Sequence, residues 1–317
     1  TSMNISIVIP IFNEIESLST LVDELNVNLE KFESWEIIFI DDGSSDGSTE
    51  FLLDLCLTNS DYKLIQFHRN YGKSAALSEG FKAASGDYVL TMDADLQDDP
   101  SEIKNLVNKL DQGWDLVSGW KKTRLDPLNK RLPSKLFNFV LRLVTGVKIH
   151  DFNCGLKGYK KSVVKSIEIY GGRHRFIPAI AGQKKFKVTE IIVNHRARKF
   201  GETKYGGSRF LHGFFDLITI LFLNRFTQQP LHLFGSFGII FFTVGFMVEC
   251  FILYNKYVLF EPFSRHMALL TFGVMLIVIG IQFFSIGLLG ELMAKTNQGH
   301  ENRIKHFHND NQSSSKG

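Results

Sequence analysis

The chain has 317 residues, 44% of them hydrophobic and 22% charged, with a formal charge of +3; that length holds one substantial α/β domain plus a further module. So small a surplus, with no long block of Lys and Arg, excludes a polyanion-binding tail and argues against a nucleic-acid partner. Cys56, Cys154 and Cys250 are odd in number and lack CxxC spacing, so neither a disulfide framework nor a zinc site is indicated and a reducing compartment fits best.

Thr1 and Ser2 ahead of Met3 read as an expression scar. The apolar run that follows passes straight into Asn13-Glu14 without a basic leader, which predicts a first strand and not a signal peptide. Short β-branched runs at 5–9, 36–40, 63–67, 88–92 and 116–118 predict strands. Amphipathic stretches near 15–31, 48–57, 73–84 and 101–111 predict the helices between them. This alternation predicts an α/β unit with a mostly parallel sheet covered on both faces, whose ligands gather at the carboxyl ends of the strands.

From residue 210 onward charges become rare. Ser208 to Phe226 places Phe210, Phe214, Leu217, Leu221 and Phe222 near one helical face, as an interfacial helix lying beside a bilayer requires. The segments 231–254 and 267–290 are long enough to cross a hydrocarbon core of about 30 Å. Glu249 falls near the far end of the first, and the second carries no formal charge. Gly238 and Gly245, and likewise Gly273, Gly280 and Gly287, recur at seven-residue spacing, giving each helix a small-residue face for close approach. Arg209, Arg225, Lys295, Arg303 and Lys305 lie outside the joint between the spans, against Lys256 and Arg265 within it, so the positive-inside bias puts both termini in the cytoplasm. The expected organisation is a catalytic domain at 1–206, an interfacial region at 207–229, a hairpin of spans at 230–294 and a polar tail at 295–317.

Three polar segments follow predicted strands: Pro10-Ile11-Phe12-Asn13-Glu14, Asp41-Asp42-Gly43-Ser44, and Asp93-Ala94-Asp95-Leu96-Gln97. In a parallel sheet they open on one edge, and two carboxylates one residue apart suit Mg²⁺ or Mn²⁺ bridging phosphates. Arg69-Asn70-Tyr71-Gly72-Lys73 leads into a helix beside them. Lys121, Lys122, Arg124, Arg131, Lys135, Arg196, Arg198 and Lys204 are candidate cations for an anionic partner.

These motifs, in this order and spacing, resemble the inverting family-two glycosyltransferases of GT-A fold, in the polyprenyl-phosphate branch of dolichyl-phosphate mannose synthases and bactoprenol glucosyltransferases. The resemblance spans about residues 3–205, and the two C-terminal spans resemble the bacterial members. It implies nucleotide-sugar contacts at Pro10, Phe12, Glu14, Ile40, Asp42, Asp93, Ala94, Asp95 and Gln97, with the metal on Asp93, Asp95 and Gln97. Phe12 stands where many relatives carry tyrosine. It implies acceptor-phosphate contacts at Lys121, Lys122, Arg131, Ser134, Arg198 and Lys204, and catalytic roles for Asp151 and Asp95. Cys154 reads as an inert thiol. The implied enzyme of a bacterial plasma membrane moves a hexose from a nucleotide diphosphate-sugar to undecaprenyl or dolichyl phosphate, in contact with membrane lipid and as an expected homo-oligomer. UDP-glucose is the first expectation and GDP-mannose the second, ahead of a UDP-N-acetylhexosamine or an amino-pentose. A processive polysaccharide synthase calls for a Gln-x-x-Arg-Trp segment that the sequence lacks, and a non-catalytic membrane adaptor leaves the acidic strand ends unexplained.

Overall fold

A computed structural model of the chain describes residues 4–122, 138–143, 145–167, 169, 173–196 and 230–297. It divides into two compact units, Thr1–Ile218 and Thr219–Gly317. In chain order the first contains β1 (Asn4–Ile11), α1 (Ile15–Leu29), β2 (Ser34–Asp41), α2 (Ser48–Thr58), β3 (Tyr62–Gln66), α3 (Lys73–Ala83), β4 (Tyr88–Thr91), α4 (Ile103–Asp111), β5 (Leu116–Trp120), β6 (Lys157–Lys160), α5 (Lys161–Ser166), α6 (Ile177–Gln183) and β7 (Val188–Ile192).

β1 is apolar at nearly every position because both faces of the sheet are covered. Ile5, Ile7, Ile9 and Ile11 enter one core with Leu18, Leu21 and Leu25 of α1 and Leu106 and Leu110 of α4. Val8 points the other way, joining Ile38, Ile40, Ala76, Leu77 and Phe81 against α3. Each fully buried aliphatic side chain contributes about 1.5–3 kcal/mol, so the two layers fix the strand register that the alternation prescribes.

The sheet order is β3-β2-β1-β4-β6-β5-β7, with β6 antiparallel to β4 and β5 and the other pairings parallel. The five predicted strands are all present, and β6 and β7 are additions to them. β6 reads KGYK, without an apolar alternation, and β7 is a half-buried edge strand, so neither carries the signal of a covered strand. The reversal matters for the site. β6 enters the sheet at the edge where β4 and β5 end, and its first residue, Lys157, pairs with Thr91 and Ser118 there.

The second unit is a helical hairpin of α7 (Pro230–Tyr257) and α8 (Met267–Asn297), joined through a short 3-10 turn at Phe263–His266. At 28 and 31 residues the helices are about 42 and 46 Å long, more than a hydrocarbon core of about 30 Å requires. Only 17% and 22% of their most apolar stretches are buried, which is unlike a core helix of a water-soluble domain. Both helices are thus candidate membrane spans by length and composition. The glycine faces mate with each other: a Cβ on Gly238 would lie 2.8 Å from the Gly280 carbonyl oxygen, and one on Gly245 2.7 Å from that of Gly273. The small residues are thus used inside the hairpin, and an argument for self-association no longer draws on them. The expected interfacial helix at 208–226 lies outside the described residues.

Candidate active site

The ends of β1 and β2 are knotted together by side chains that replace missing backbone partners. Asn13 adopts a left-handed conformation (φ 53°). Its side-chain oxygen accepts from the Ser45 N–H (2.8 Å), while its own N–H donates to Ser44 Oγ (3.0 Å). The N–H groups of Glu14 and Ile15 donate to Ser48 Oγ (3.2 Å) and Asp46 Oδ2 (3.0 Å). Asp41 accepts from the Ser44 N–H (2.9 Å) and from the Thr49 hydroxyl. Asp42 accepts from the N–H groups of Tyr71 (2.6 Å) and Gly72 (2.9 Å). Burial, joined by the neighbouring Asp41 charge, pushes the Asp42 carboxyl up in spite of those two donors. The 69–73 segment therefore turns backbone donors toward Asp42. Pro10, Phe12 and Glu14 are partly exposed at this edge, whereas Ile40 is a core side chain.

After β4 the chain alternates, with Asp93, Asp95 and Gln97 partly exposed and Ala94, Leu96 and Asp98 buried. Leu96 at φ 59° makes the turn, and the Gln97 N–H closes on Asp95 Oδ1 (3.2 Å). Lys73, the first residue of α3, forms an ion pair with Asp93. Burial works against charge at Asp93, yet Lys73, with Lys121 and Lys157 behind it, holds the carboxyl down to about 2. Beneath the loop, Asp98 is fully buried, accepts from the Asp93 N–H (3.3 Å) and pairs with Lys121 (2.8 Å). Lys157 donates to the Cys154 carbonyl, and burial together with Lys73 lowers its affinity for a proton. Gly155 is a matter of space, since a Cβ there would lie 2.5 Å from Asp93 Oδ2. The Cys154 thiol is pushed up to about 12, chiefly by burial, which keeps it protonated and unreactive at neutral pH.

On the acceptor side, Lys121 is committed to Asp98 and 12% exposed, so of the two neighbouring lysines it is Lys122 that faces solvent, over the Trp120 ring at 5.8 Å. Arg196, one of the candidate cations, is held by Glu24 (2.6 Å) and Asp99 (2.9 Å). Asp151 is buried at the carboxyl edge, with Oδ1 accepting from the Asn153 N–H (3.0 Å). Arg124, Arg131, Ser134, Lys135, Arg198 and Lys204 lie outside the described residues.

A carboxylate loop, three lysines and a buried acid thus gather at the carboxyl edge of this sheet. A family model described as glycosyl transferase family 2 matches residues 6–168. The chain belongs to glycosyltransferase family 2. It is 34% identical over 309 residues to a dodecaprenyl-phosphate galacturonate synthase of Rhizobium johnstonii, covering 93% of this chain and 89% of that protein. It is also 34% identical over 305 residues to an undecaprenyl-phosphate 4-deoxy-4-formamido-L-arabinose transferase of Salmonella paratyphi B, covering 96% and 92%. The fold is shared with glucosyl-3-phosphoglycerate synthase of Mycobacterium tuberculosis, solved with Mn²⁺, UDP-glucose and phosphoglyceric acid. That match has a TM-score of 0.55 at 19% identity over 69% of this chain and 80% of that one. The GT-A fold expected from the motifs is therefore the fold of this chain, and the protein is an enzyme.

The donor set of this glycosyltransferase suits a hard cation. Asp95 and Gln97 offer oxygen ligands at partly exposed positions, and Asp93 adds a carboxylate now held by Lys73. Among the described residues no three His, Cys, Asp or Glu side chains form a cage. Mg²⁺ sites usually combine one or two carboxylates with substrate phosphates and do not need such a cage. Sequence reasoning did not single out Lys157 or His174. Lys157 resembles any lysine ahead of a short strand. His174 lies a hundred residues from Ser74, whose Oγ it meets through its N–H (3.1 Å) and Nδ1 (2.9 Å). Burial and the charges of Lys73, Arg175 and Lys157 drive the imidazole down to about 3, so it is neutral at every working pH.

Proposed function

We propose that this transferase moves a sugar from a nucleoside diphosphate-sugar to a polyprenyl phosphate, with inversion at the anomeric carbon. The observation that carries the reading is the convergence of Asp93, Asp95 and Gln97 with Lys73, Lys121 and Lys157 at one sheet edge, in a chain that continues into an apolar helical hairpin. The two polyprenyl-phosphate transferases at 34% identity support it. Lys73, which neutralises Asp93, and Lys157 temper the repulsion between the carboxylate loop and a diphosphate entering a crowded, low-dielectric site. Asp95 and Gln97, with Asp93, would hold Mg²⁺ or Mn²⁺, which when bound supplies charge neutralisation for the departing diphosphate. A lipid phosphate oxygen attacks the anomeric carbon from the face opposite the leaving group. Its carbon–oxygen bond forms as the bond to the diphosphate breaks. Asp151 orients the acceptor; an anionic phosphate needs no strong base.

Glucose, the first sugar expected from the sequence, stays on the list, and the relatives' names add galacturonate and formamido-arabinose. The purified full chain, given undecaprenyl phosphate, is expected to convert one of UDP-glucose, GDP-mannose, UDP-galacturonate or UDP-4-deoxy-4-formamido-L-arabinose to a lipid-linked sugar. No lipid product with any of these donors would count against the reading.

The catalytic unit and both chain ends are placed in the cytoplasm, from the basic residues flanking the hairpin. An impermeant thiol reagent applied to intact cells is then expected to label Phe260→Cys and to spare His300→Cys. The reverse pattern would reverse the topology.

A further inference from the structure

Asp151 is held from two strands at once. Ser118 of β5 donates through Oγ to the Asp151 carbonyl oxygen (3.1 Å). Glu190 of β7, the residue in register with Ser118, accepts the His150 N–H on Oε2 (2.6 Å) and meets the His150 ring nitrogen Nδ1 with Oε1. The other side of the clamp is Trp120, whose ring stacks on the imidazole at 4.2 Å and 13°. Trp120 lies two residues beyond Ser118 on the same strand, so both side chains project from one face of the sheet.

Between the N–H of residue 150 and the carbonyl of residue 151 lie four soft dihedrals, and anchors at both ends restrain all four. Glu190 is 14% exposed, so its carboxylate bonds are poorly replaced by water. We propose that Glu190 is a positioning residue for the transfer step: acting through His150, it latches the backbone that carries Asp151. This rests on Asp151 being the acceptor-side acid. Glu190 itself touches no substrate, and its effect belongs in turnover and not in donor affinity.

The test is a double-mutant cycle on the full chain in detergent, with undecaprenyl phosphate and whichever donor of the four-member panel the wild type turns over. Gln in place of Glu190 keeps the size but loses the charge, and it can serve both the backbone N–H and the ring nitrogen only if the His150 imidazole changes tautomer. Glu190→Gln is expected to lower kcat about tenfold or more with the donor KM little changed. In an Asp151→Asn background the same change should add almost nothing, because a residue that acts only through Asp151 has nothing left to position. His150→Phe, which preserves the stack on Trp120 and the backbone donor but removes the ring bond, is expected to give a smaller loss of the same kind. It decides the cycle if Glu190→Gln does not fold. Multiplicative losses in the double variant, or wild-type kcat in Glu190→Gln, overturn the latch. Wild-type kcat in Asp151→Asn instead overturns the role of Asp151, and the latch with it.

Discussion

Asp95→Asn is expected to lower turnover by about a hundred- to a thousandfold, the range seen when one preorganised electrostatic contact to a transition state is removed. The variant keeps the shape and an amide oxygen in place of Oδ1, so the bond from the Gln97 N–H can persist and the turn at Leu96 should form. What disappears is the negative charge at a partly exposed position between Asp93, already neutralised by Lys73, and Gln97. Loss of turnover should therefore come with an unchanged melting temperature. Removing divalent ions from the wild type should produce a comparable loss that added Mg²⁺ or Mn²⁺ restores. Full activity in both the variant and the chelated wild type would remove the metal-assisted diphosphate site from the mechanism.

Asp98→Ala should cost stability in addition to activity. Asp98 is fully buried and Lys121 nearly so, and deleting one partner of a buried pair leaves the other charged and unpaired, at about 3–5 kcal/mol. For a unit of this size that is a fall in Tm of roughly 6–20 °C. The Asp93 N–H also loses its acceptor, so the carboxylate loop loosens. Burial disfavours the Lys121 charge, but Asp98 outweighs it and raises the lysine above its ordinary value of 10.5. A group shifted this way stabilises the fold fully below its unfolded value and loses that contribution only as pH climbs past it. The wild-type pair is therefore intact from pH 6 to pH 9. In the variant burial is no longer opposed by Asp98 and Lys121 gives up its proton more readily, so the Asp98→Ala penalty should shrink from pH 6 to pH 9. Adding Lys121→Met should recover most of the lost Tm, since an apolar pair of similar volume avoids the unpaired charge. No recovery in the double variant would show that Asp98 acts through the loop and not through the ion pair.

Much of this protein is legible in one dimension. The apolar runs at 5–9 and 36–40 specify covered strands because each position faces a helix layer, and the spacing of polar strand ends specifies a shared ligand edge once the strands are parallel. The hairpin is equally local, because length and lack of charge alone decide whether a helix can cross a membrane. The glycine spacing announced a close contact, but only the paired helices show that Gly238 meets Gly280 and Gly245 meets Gly273. Other features depend on residues far apart in sequence. Lys73 with Asp93, Lys121 with Asp98 and Glu190 with His150 are separated by 20, 23 and 40 positions. Each basic residue looks alike in the sequence, and its role follows from the acid it meets. Lys121 became a buried structural partner, Arg196 a surface tie, and Lys157 a buried cation because β6 runs backwards into the site. Sequence determined the first five strands, the helices between them and the apolar hairpin, for these depend on neighbours in the chain, whereas β6 and β7 emerged only in the assembled sheet. Tertiary structure decided which charges cancel, since Coulomb energy depends on distance and local dielectric, and both are set only when the sheet is assembled.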